Sequence, residues 1–290
     1  MYRIGIIGTE NTHAMAFAKY FNLPDAATGK MHHDNIRVTA VMGDTESTSA
    51  IVKETGVEFV AETVEDFFGR VDAVAITNRK GSLHREFALP FVEKGIPIFI
   101  DKPFTSDLNE AKDLMARIVA SNCKAMGGSG CKYPEEIKDI RQLVADLREK
   151  HEFMGASMNF TVMLDSPYDG IYFYAPHLVE MCLAAFGYDP KAVHAIRTGD
   201  CMIVTVQYEN DAVSLHFNSS SKQYSCLVYG ANQNHTFNID ISTIYAQEAE
   251  YFAEMIQGNA PSFSEEVLVM PGVMIDAIQK SLATGARVTL

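Results

Sequence analysis

The chain has 290 residues and a mass of 32.1 kDa, about twice the usual size of one domain, so two domains are expected. Hydrophobic residues form 47% of it and charged residues 21%, a balance that excludes an intrinsically disordered chain. The 24 basic and 37 acidic residues give a net charge of −13, which disfavours nucleic acid or an anionic membrane as a partner.

The sequence predicts neither a membrane span nor a secreted protein. No segment approaches the roughly 20 apolar residues that a bilayer span requires, and residues 1–8 are typical of a buried strand rather than a signal peptide. The five cysteines are widely spaced and include no C-x-x-C pair, which favours reduced thiols. No metal site is predicted, because the pair His32-His33 lacks further ligands at suitable spacing. We therefore expect a cytoplasmic protein.

The first 124 residues alternate strand and helix patterns at the spacing of βαβ units. Short apolar runs of this kind are typical of parallel strands that are buried on both faces. The pattern predicts a doubly wound parallel sheet of the Rossmann type. The predicted strands are 2–7, 37–42, 73–76 and 97–100, and the predicted helices are 13–21, 82–94 and 108–121.

The pattern changes after the glycine-rich stretch 127–130, so we place a second α/β domain over residues 125–290. Alternating apolar and polar residues there predict an open, mainly antiparallel sheet with one wet face. That face is a candidate surface for a homodimer or tetramer. The predicted strands are 153–162, 193–197, 202–208, 212–218 and 225–229, and the predicted helices are 134–150, 177–186, 243–257 and 264–284.

The turn after the first strand is a candidate dinucleotide site. A strand ending in glycine and leading into a helix places backbone N–H groups, at the positive end of the helix dipole, where a pyrophosphate binds. The usual pattern is G-x-G-x-x-G/A, and residues 8–13 read GTENTH. Gly8 fits the first position, whereas Glu10 and His13 replace the other two. Thr9 and Asn11 complete the candidate contacts.

The second strand is expected to end in an acidic residue that binds the adenosine ribose. Gly43 occupies the expected position and Asp44 follows it, so Asp44 is the candidate ribose ligand. No nearby Arg or Lys is evident in the sequence to hold a 2′-phosphate, which favours NAD over NADP. The alternative is that Asp44 only opens a turn.

Residues 72–104 read DAVAITNRKGSLHREFALPFVEKGIPIFIDKPF, and this block resembles the glucose-fructose oxidoreductase, inositol dehydrogenase and MocA family. The resemblance rests on a strand, a helix that carries His84, a Lys-Gly cap and a second strand before Asp101-Lys102-Pro103, where the family has Glu-Lys-Pro. Residues 133–134, 248–258 and 275–290 are similar to the family as well. It implies a Rossmann domain that binds NAD(P), with Thr77, Asn78, His84, Asp101 and Lys102 among the cofactor contacts.

The resemblance also implies two catalytic residues. Lys102 would orient substrate and cofactor and favour an alkoxide-like oxygen, and His177 would move the hydroxyl proton. The family places an Asp four residues before this His, but Phe173 occupies that position here. The residues proposed as substitutes are Asp165, Asp169, Tyr172 and Tyr174.

The expected activity is NAD-dependent oxidation of a secondary alcohol in a sugar, polyol or related small molecule. Two alternatives stay open. The first is a lyase or glycosidase that uses bound NAD transiently. The second is a binding or regulatory protein without redox chemistry, which the departures at Glu10, Gly43 and Phe173 leave open.

Overall fold

The computed structural model describes residues 1–290, which form two compact units. The first unit comprises Met1–Gly128 together with Tyr245–Leu268, and the second comprises Ser129–Ile244 and Val269–Leu290. The sequence places one boundary after residue 124. In the structure the chain leaves the first unit after Gly128 and later returns to it for a helix.

Thirteen strands and eight α-helices make up the two units. The strands are β1 (Tyr2–Ile7), β2 (Ile36–Met42), β3 (Phe59–Val60), β4 (Ala73–Ile76), β5 (Ile98–Asp101), β6 (Ala125–Gly128), β7 (Phe153–Thr161), β8 (Ala192–Thr198), β9 (Cys201–Gln207), β10 (Ala212–Asn218), β11 (Ser225–Gly230), β12 (Asn234–Asn238) and β13 (Val288–Thr289). The helices are α1 (Thr12–Asn22), α2 (Thr45–Thr55), α3 (His84–Val92), α4 (Leu108–Ala120), α5 (Glu135–Glu149), α6 (Ala175–Phe186), α7 (Ile244–Gln257) and α8 (Glu265–Thr284).

The first unit contains the predicted doubly wound sheet. Its six strands are parallel and follow the order β3-β2-β1-β4-β5-β6, so the chain direction across the sheet reverses between β1 and β4. All residues of β4 and β5 are buried, as expected for strands covered on both faces. The crevice at the carboxyl ends of β1 and β4 is where open α/β sheets bind ligands.

The core of the first unit includes a helix from the other end of the chain. Phe17 on α1, Phe99 on β5 and Phe252 on α7 pack together, with ring centroids 5.0 to 6.4 Å apart. Burying such rings contributes roughly 1.5–3 kcal/mol each. This aromatic cluster attaches α7 to α1 and β5 of the first unit.

Helix α2 was not predicted, and capping residues stabilise both of its ends. Asp44 accepts hydrogen bonds from the backbone N–H groups of Glu46 and Ser47, which makes it the N-cap. Gly56 ends the helix in the left-handed conformation, with φ +69°. The short strands β3, β6 and β12 were also missed, whereas the final strand β13 agrees with the family resemblance of residues 275–290.

The second unit is built on a mixed sheet in the order β12-β11-β7-β10-β9-β8-β13. Only β7 and β10 pair in parallel, so the prediction of a mainly antiparallel sheet is confirmed. Helices α5 and α6 pack on one face of this sheet.

Helix α8 is long and apolar enough to cross a membrane by length and composition alone, contrary to the expectation from sequence. Its residues Leu268, Met274, Ile275 and Ile278 are buried within the fold, which accounts for its apolar character.

Candidate functional site

Gly8 joins β1 to the turn before α1 and allows a close approach between strands. Its φ is +96°, and a Cβ atom at this position would lie 2.3 Å from the backbone nitrogen of Asn78 after β4. A side chain would force these strand ends apart, so the first glycine of the dinucleotide pattern has a steric cause here.

Asn11 connects this turn to the end of β5. Its Oδ1 accepts a hydrogen bond from the backbone N–H of His13 and caps α1, while its Nδ2 donates to Oδ2 of Asp101 over 2.7 Å. Both side chains are buried. The N-cap of α1 and the residue before Lys102 are therefore held together.

Glu10 occupies the position of the second glycine of the pattern. Its Oε1 accepts a hydrogen bond from the backbone N–H of Arg79 over 3.1 Å. The carboxylate therefore ties the first turn to the loop after β4. This contact gives the departure from the glycine pattern a structural role.

Thr9 lies so close to Gly43 that no side chain fits at position 43. A Cβ atom on Gly43 would lie 2.0 Å from Thr9 Oγ1, so any residue larger than glycine would collide with that side chain. Thr9 is buried, and its hydroxyl lies 2.9 Å from that of Thr48 on α2. The acidic residue expected at position 43 is therefore excluded by the neighbouring threonine.

Asp44 is exposed and lies directly after Gly43. Hydrogen bonds from Ser47 and Glu46, with a smaller contribution from the charge of Arg79, lower the pKa of its carboxyl. The structure thus agrees with the alternative that Asp44 opens a turn, because its Oδ1 caps α2. It also corrects the expectation that no cation is near, because Arg79 lies within electrostatic range of Asp44.

Thr77 and Asn78, the two predicted cofactor contacts after β4, differ in their hydrogen bonds. Thr77 is fully buried, and its hydroxyl donates to the carbonyl oxygens of Ile7 and Gly8, so it ties β4 to β1. Asn78 is 8% exposed, and its Oδ1 has no hydrogen-bond partner. A buried carbonyl oxygen without a donor costs about 1–3 kcal/mol, so this atom is poised to accept from a ligand hydroxyl.

His84 links two loops of the site and is fully buried. Its Nε2 lies 2.8 Å from the carbonyl oxygen of Asn78, and its Nδ1 lies 2.6 Å from that of Pro103. Burial lowers the pKa of this imidazole. His84 therefore connects the backbone after β4, at Asn78, to the backbone just after Lys102, at Pro103.

His13 replaces the third glycine and forms a buried charged cluster. Its Nε2 lies 2.8 Å from Glu248 Oε2, and its Nδ1 lies 3.4 Å from Asp101 Oδ2. Burial opposes the charged ring, but the carboxylates of Asp101 and Glu248 outweigh it and raise the pKa of His13. This pairing could not be predicted from residue spacing, since Glu248 lies 235 residues away.

Lys102 lies just beyond β5 and is 5% exposed. Its backbone N–H donates to Asp101 Oδ1 over 2.7 Å. The charge of Lys102 contributes to the lowered pKa of His84 and partly opposes the rise in the pKa of His13. Burial of this lysine argues against a solvated surface role.

His177, the predicted residue of the second unit, lies in the first turn of α6. Its Nδ1 lies 2.6 Å from the hydroxyl oxygen of Ser129 and 3.5 Å from Cys131 Sγ. Ser129 in turn donates its backbone N–H to Glu180, which forms a buried ion pair with Lys132 over 2.8 Å. None of these four partners was identified from the sequence.

Four residues were proposed to replace the carboxylate missing at Phe173, and no contact shown between their side-chain carboxylate or hydroxyl groups and His177 supports that role. Asp165 is exposed and paired with Arg197, which lowers the pKa of the carboxyl. Phe173 packs its ring against Tyr168 and Tyr174, and Tyr174 in turn has its ring centroid 5.5 Å from that of His177. Tyr172 is buried, and Asp169 precedes a short 3₁₀ helix with φ +61°.

The residues of the first unit fit a bound dinucleotide. Gly8 and the capped start of α1 suit the pyrophosphate, Asn78 has an unused acceptor, and Asp44 has a second carboxylate oxygen beyond the one that caps α2. An open cavity of about 590 Å³ adjoins Gly43 and is lined by Met42, Thr48, Val52, Val60 and Ala61 among others. Its position and size suit an adenosine group.

Residues 2–129 match the model of the GFO_IDH_MocA family, described as an oxidoreductase family with an NAD-binding Rossmann fold. No curated protein matches the sequence significantly.

Solved structures resemble the whole chain. GenD2 from gentamicin A biosynthesis, solved in complex with NAD, is 14% identical, with a TM-score of 0.85 over 100% of this chain and 96% of its own. A putative myo-inositol dehydrogenase from Sinorhizobium meliloti is 17% identical, with a TM-score of 0.82 over 100% of this chain and 99% of its own. A myo-inositol dehydrogenase from Corynebacterium glutamicum is 18% identical, with a TM-score of 0.81 over 100% and 99%. At these identities the likeness establishes the fold.

Proposed function

We propose that this chain, whose residues 2–129 belong to the Gfo/Idh/MocA oxidoreductase family, is an NAD-dependent dehydrogenase for a secondary alcohol of a sugar, polyol or related polar molecule. The observation that carries the proposal is the buried Lys102 at the carboxyl end of β5, in the same unit as the unused acceptor of Asn78. The similar fold of two proteins named as myo-inositol dehydrogenases, one of them a putative one, supports the substrate class.

In this proposal Asn11 and the first turn of α1 bind the pyrophosphate, and Asn78 Oδ1 accepts from a ribose hydroxyl. When bound, NAD supplies the hydride acceptor. The ammonium of Lys102 donates to the reacting oxygen and stabilises the negative charge that develops there during oxidation. Asp101, hydrogen-bonded by Asn11 and by the backbone of Lys102, limits the movement of this lysine.

His177 is proposed as the imidazole that contacts the substrate hydroxyl, as the family resemblance implies. Its surroundings in the second unit are apolar on one side, where the ring of Phe160 lies 5.4 Å away. On another side the Ser129 hydroxyl oxygen lies 2.6 Å from Nδ1 of the ring.

The test is a panel of polyols and sugars with NAD, followed by the absorbance of the reduced nicotinamide. We expect turnover with at least one polyol, and Lys102→Met should lower kcat by about 10²–10³-fold while NAD affinity changes less. Lys124→Met is the control, because Lys124 also lies in the first unit but donates to the carbonyl oxygen of Met255.

Three other outcomes would contradict the proposal. Substrate conversion without net reduction of NAD would favour the lyase or glycosidase alternative. NAD binding without any conversion would favour a regulatory protein. Full activity of Lys102→Met would remove Lys102 from the chemistry.

A further inference from the structure

We infer that His13 is a titratable cation of the dinucleotide site, so that NAD binds more tightly when this imidazole is protonated than when it is neutral. The inference rests on the proposed function only in requiring that NAD binds to the first unit. It gives the residue at the third position of the glycine pattern an effect on cofactor affinity. That effect acts through charge and not through contact with the reacting atoms.

The first step is the place of His13 in the first turn of α1, two residues after the N-cap Asn11. Its backbone N–H donates to Asn11 Oδ1, so His13 belongs to the turn where a pyrophosphate is expected. His13 is only 3% exposed. The charge of its ring therefore acts on the turn through protein rather than through bulk water, and salt screens it weakly.

Three acidic side chains lie in this turn or against it. Glu10 accepts a hydrogen bond from the backbone N–H of Arg79, and Asp101 is fully buried and accepts from Asn11. The third is Glu248, which is 1% exposed. Carboxylates close to a bound anion oppose it unless cations offset them. A protonated ring between Asp101 and Glu248 supplies such a cation, whereas a neutral ring does not.

Charged and titratable groups face the ring of His13 from two segments of the first unit. At the end of β5, Asp101 Oδ2 lies 3.4 Å from Nδ1, and the charge of Lys102 acts on the ring as well. From α7, Glu248 Oε2 lies 2.8 Å from Nε2, and the ring centroid of Tyr245 lies 4.5 Å from that of the imidazole. The imidazole is thus held on both nitrogens by carboxylates.

Burial and the charge of Lys102 oppose protonation of the ring. The carboxylates of Asp101 and Glu248 outweigh them, so the pKa of His13 is raised above its ordinary value of about 6.5. A pyrophosphate bound at the turn adds negative charge and therefore raises this pKa further. By reciprocity, protonation of His13 strengthens the binding of the pyrophosphate by the same factor.

The direction of the pH dependence follows from this linkage. Affinity for the dinucleotide is highest below the pKa of His13 in the free protein. It falls as the pH rises from that pKa to the higher pKa of the complex, and binding takes up protons over this interval. Above both values the ring is neutral in either state, and the affinity is low and constant.

The test is calorimetric titration of the protein with NAD and with ADP-ribose from pH 6 to pH 10, in buffers of different ionisation enthalpy. ADP-ribose keeps the pyrophosphate and lacks the nicotinamide, so it isolates the effect on the turn. We expect the affinity for both ligands to fall at least about tenfold with rising pH, with net uptake of protons on binding. In histidine NMR spectra, ADP-ribose should raise the pKa of the His13 ring.

Two variants and a matched control separate charge from structure. His13→Gln can still donate to Glu248 but carries no charge, so its affinity should be low and independent of pH. Glu248→Gln keeps the imidazole and removes one carboxylate that raises its pKa, so the fall in affinity should move to lower pH. His33→Gln is the control, because His33 Nε2 also lies 2.9 Å from a glutamate of α7, Glu250, but stands outside the turn, between α1 and β2. It should leave the pH profile unchanged.

The profile of the native protein decides the matter even where a variant does not fold. An affinity for ADP-ribose that is independent of pH overturns the inference and leaves the proposed function intact. A fall in affinity that persists in His13→Gln, or that keeps its midpoint in Glu248→Gln, assigns the proton to another group and overturns it as well. If neither ligand binds at any pH, the proposed function fails together with the inference. The two failures are therefore distinguishable.

Discussion

His13 Nε2 lies 2.8 Å from Glu248 Oε2, and the two side chains are only 4% and 1% exposed. The pair joins the first turn of α1 to α7, within one unit. Asp101 Oδ2 lies 3.4 Å from the other ring nitrogen, so the imidazole stands between two carboxylates that raise its pKa. The residue that departs furthest from the small-residue pattern of dinucleotide sites therefore has a definite structural function.

His13→Gln should make the stability of the first unit less dependent on pH. The carboxylates of Asp101 and Glu248 raise the pKa of His13 above its ordinary value of about 6.5 despite the opposing effect of burial. The stabilisation by the charged ring is then complete below about pH 6.5 and is lost as the pH rises through the folded-state pKa. We expect a loss of about 3–5 kcal/mol in His13→Gln at pH 6 and a smaller loss at higher pH.

Urea unfolding at a series of pH values measures this difference. The double variant His13→Gln with Glu248→Gln should lose less than the sum of the single variants, because the two side chains are paired. A loss that is independent of pH would mean that His13 is neutral in the folded protein.

Gly43→Ala should destabilise the first unit and weaken NAD binding. The new Cβ would lie 2.0 Å from Thr9 Oγ1 and 2.5 Å from Thr9 N, so backbone or side chain must move, at a cost of about 1–3 kcal/mol. Thr9→Gly in the same background should recover part of that loss. Gly272→Ala is the control, because an added Cβ there meets nothing within 4 Å. Thermal unfolding and NAD titration follow the two effects, and a stable Gly43→Ala protein would contradict the steric argument.

Local patterns predicted most of the fold, and their limits are visible in particular elements. Continuous apolar runs identified β4 and β5 because both faces of these strands are buried. Helix α2 was missed because its residues are mostly polar, although Asp44 and Gly56 mark its two ends as caps. Strand β3 has only two residues and therefore shows no periodicity.

The site was predictable only where its chemistry is local. Gly8 and Lys102 stand at strand ends that the pattern locates. The partners of His13 and His177 come from distant segments, Glu248 and Ser129, and such pairings leave no trace in the spacing of one sequence. Arg79 was likewise missed as a neighbour of Asp44 because the two residues follow different strands.

Asp44→Ser should weaken the discrimination against NADP. Serine can still cap α2, whereas the negative charge that would repel a 2′-phosphate is removed. Arg79 is a cation within electrostatic range of Asp44, so it is a candidate to attract a 2′-phosphate there. We expect the ratio of NADP to NAD affinity, measured by calorimetry, to rise at least about tenfold, which is a difference of about 1.4 kcal/mol.

The gain should be smaller when Arg79→Gln is added to Asp44→Ser, since the guanidinium near Asp44 is then removed. An unchanged ratio in Asp44→Ser alone would restrict Asp44 to its capping role and place the ribose contact elsewhere.

Two substitutions of Glu10 should separate its charge from its hydrogen bond. Glu10→Gln keeps an oxygen that can accept from the backbone N–H of Arg79 and removes the charge beside the expected pyrophosphate. NAD should therefore bind about tenfold more tightly, a difference of about 1.4 kcal/mol. Glu10→Gly removes the charge and the acceptor oxygen together. The loop after β4 then loses its hydrogen bond to position 10, so the gain in NAD affinity should be smaller than with Glu10→Gln. Titration calorimetry at low and high salt measures the effect, which salt should reduce. Tighter binding by Glu10→Gly than by Glu10→Gln would show that the tie to Arg79 contributes nothing to the site.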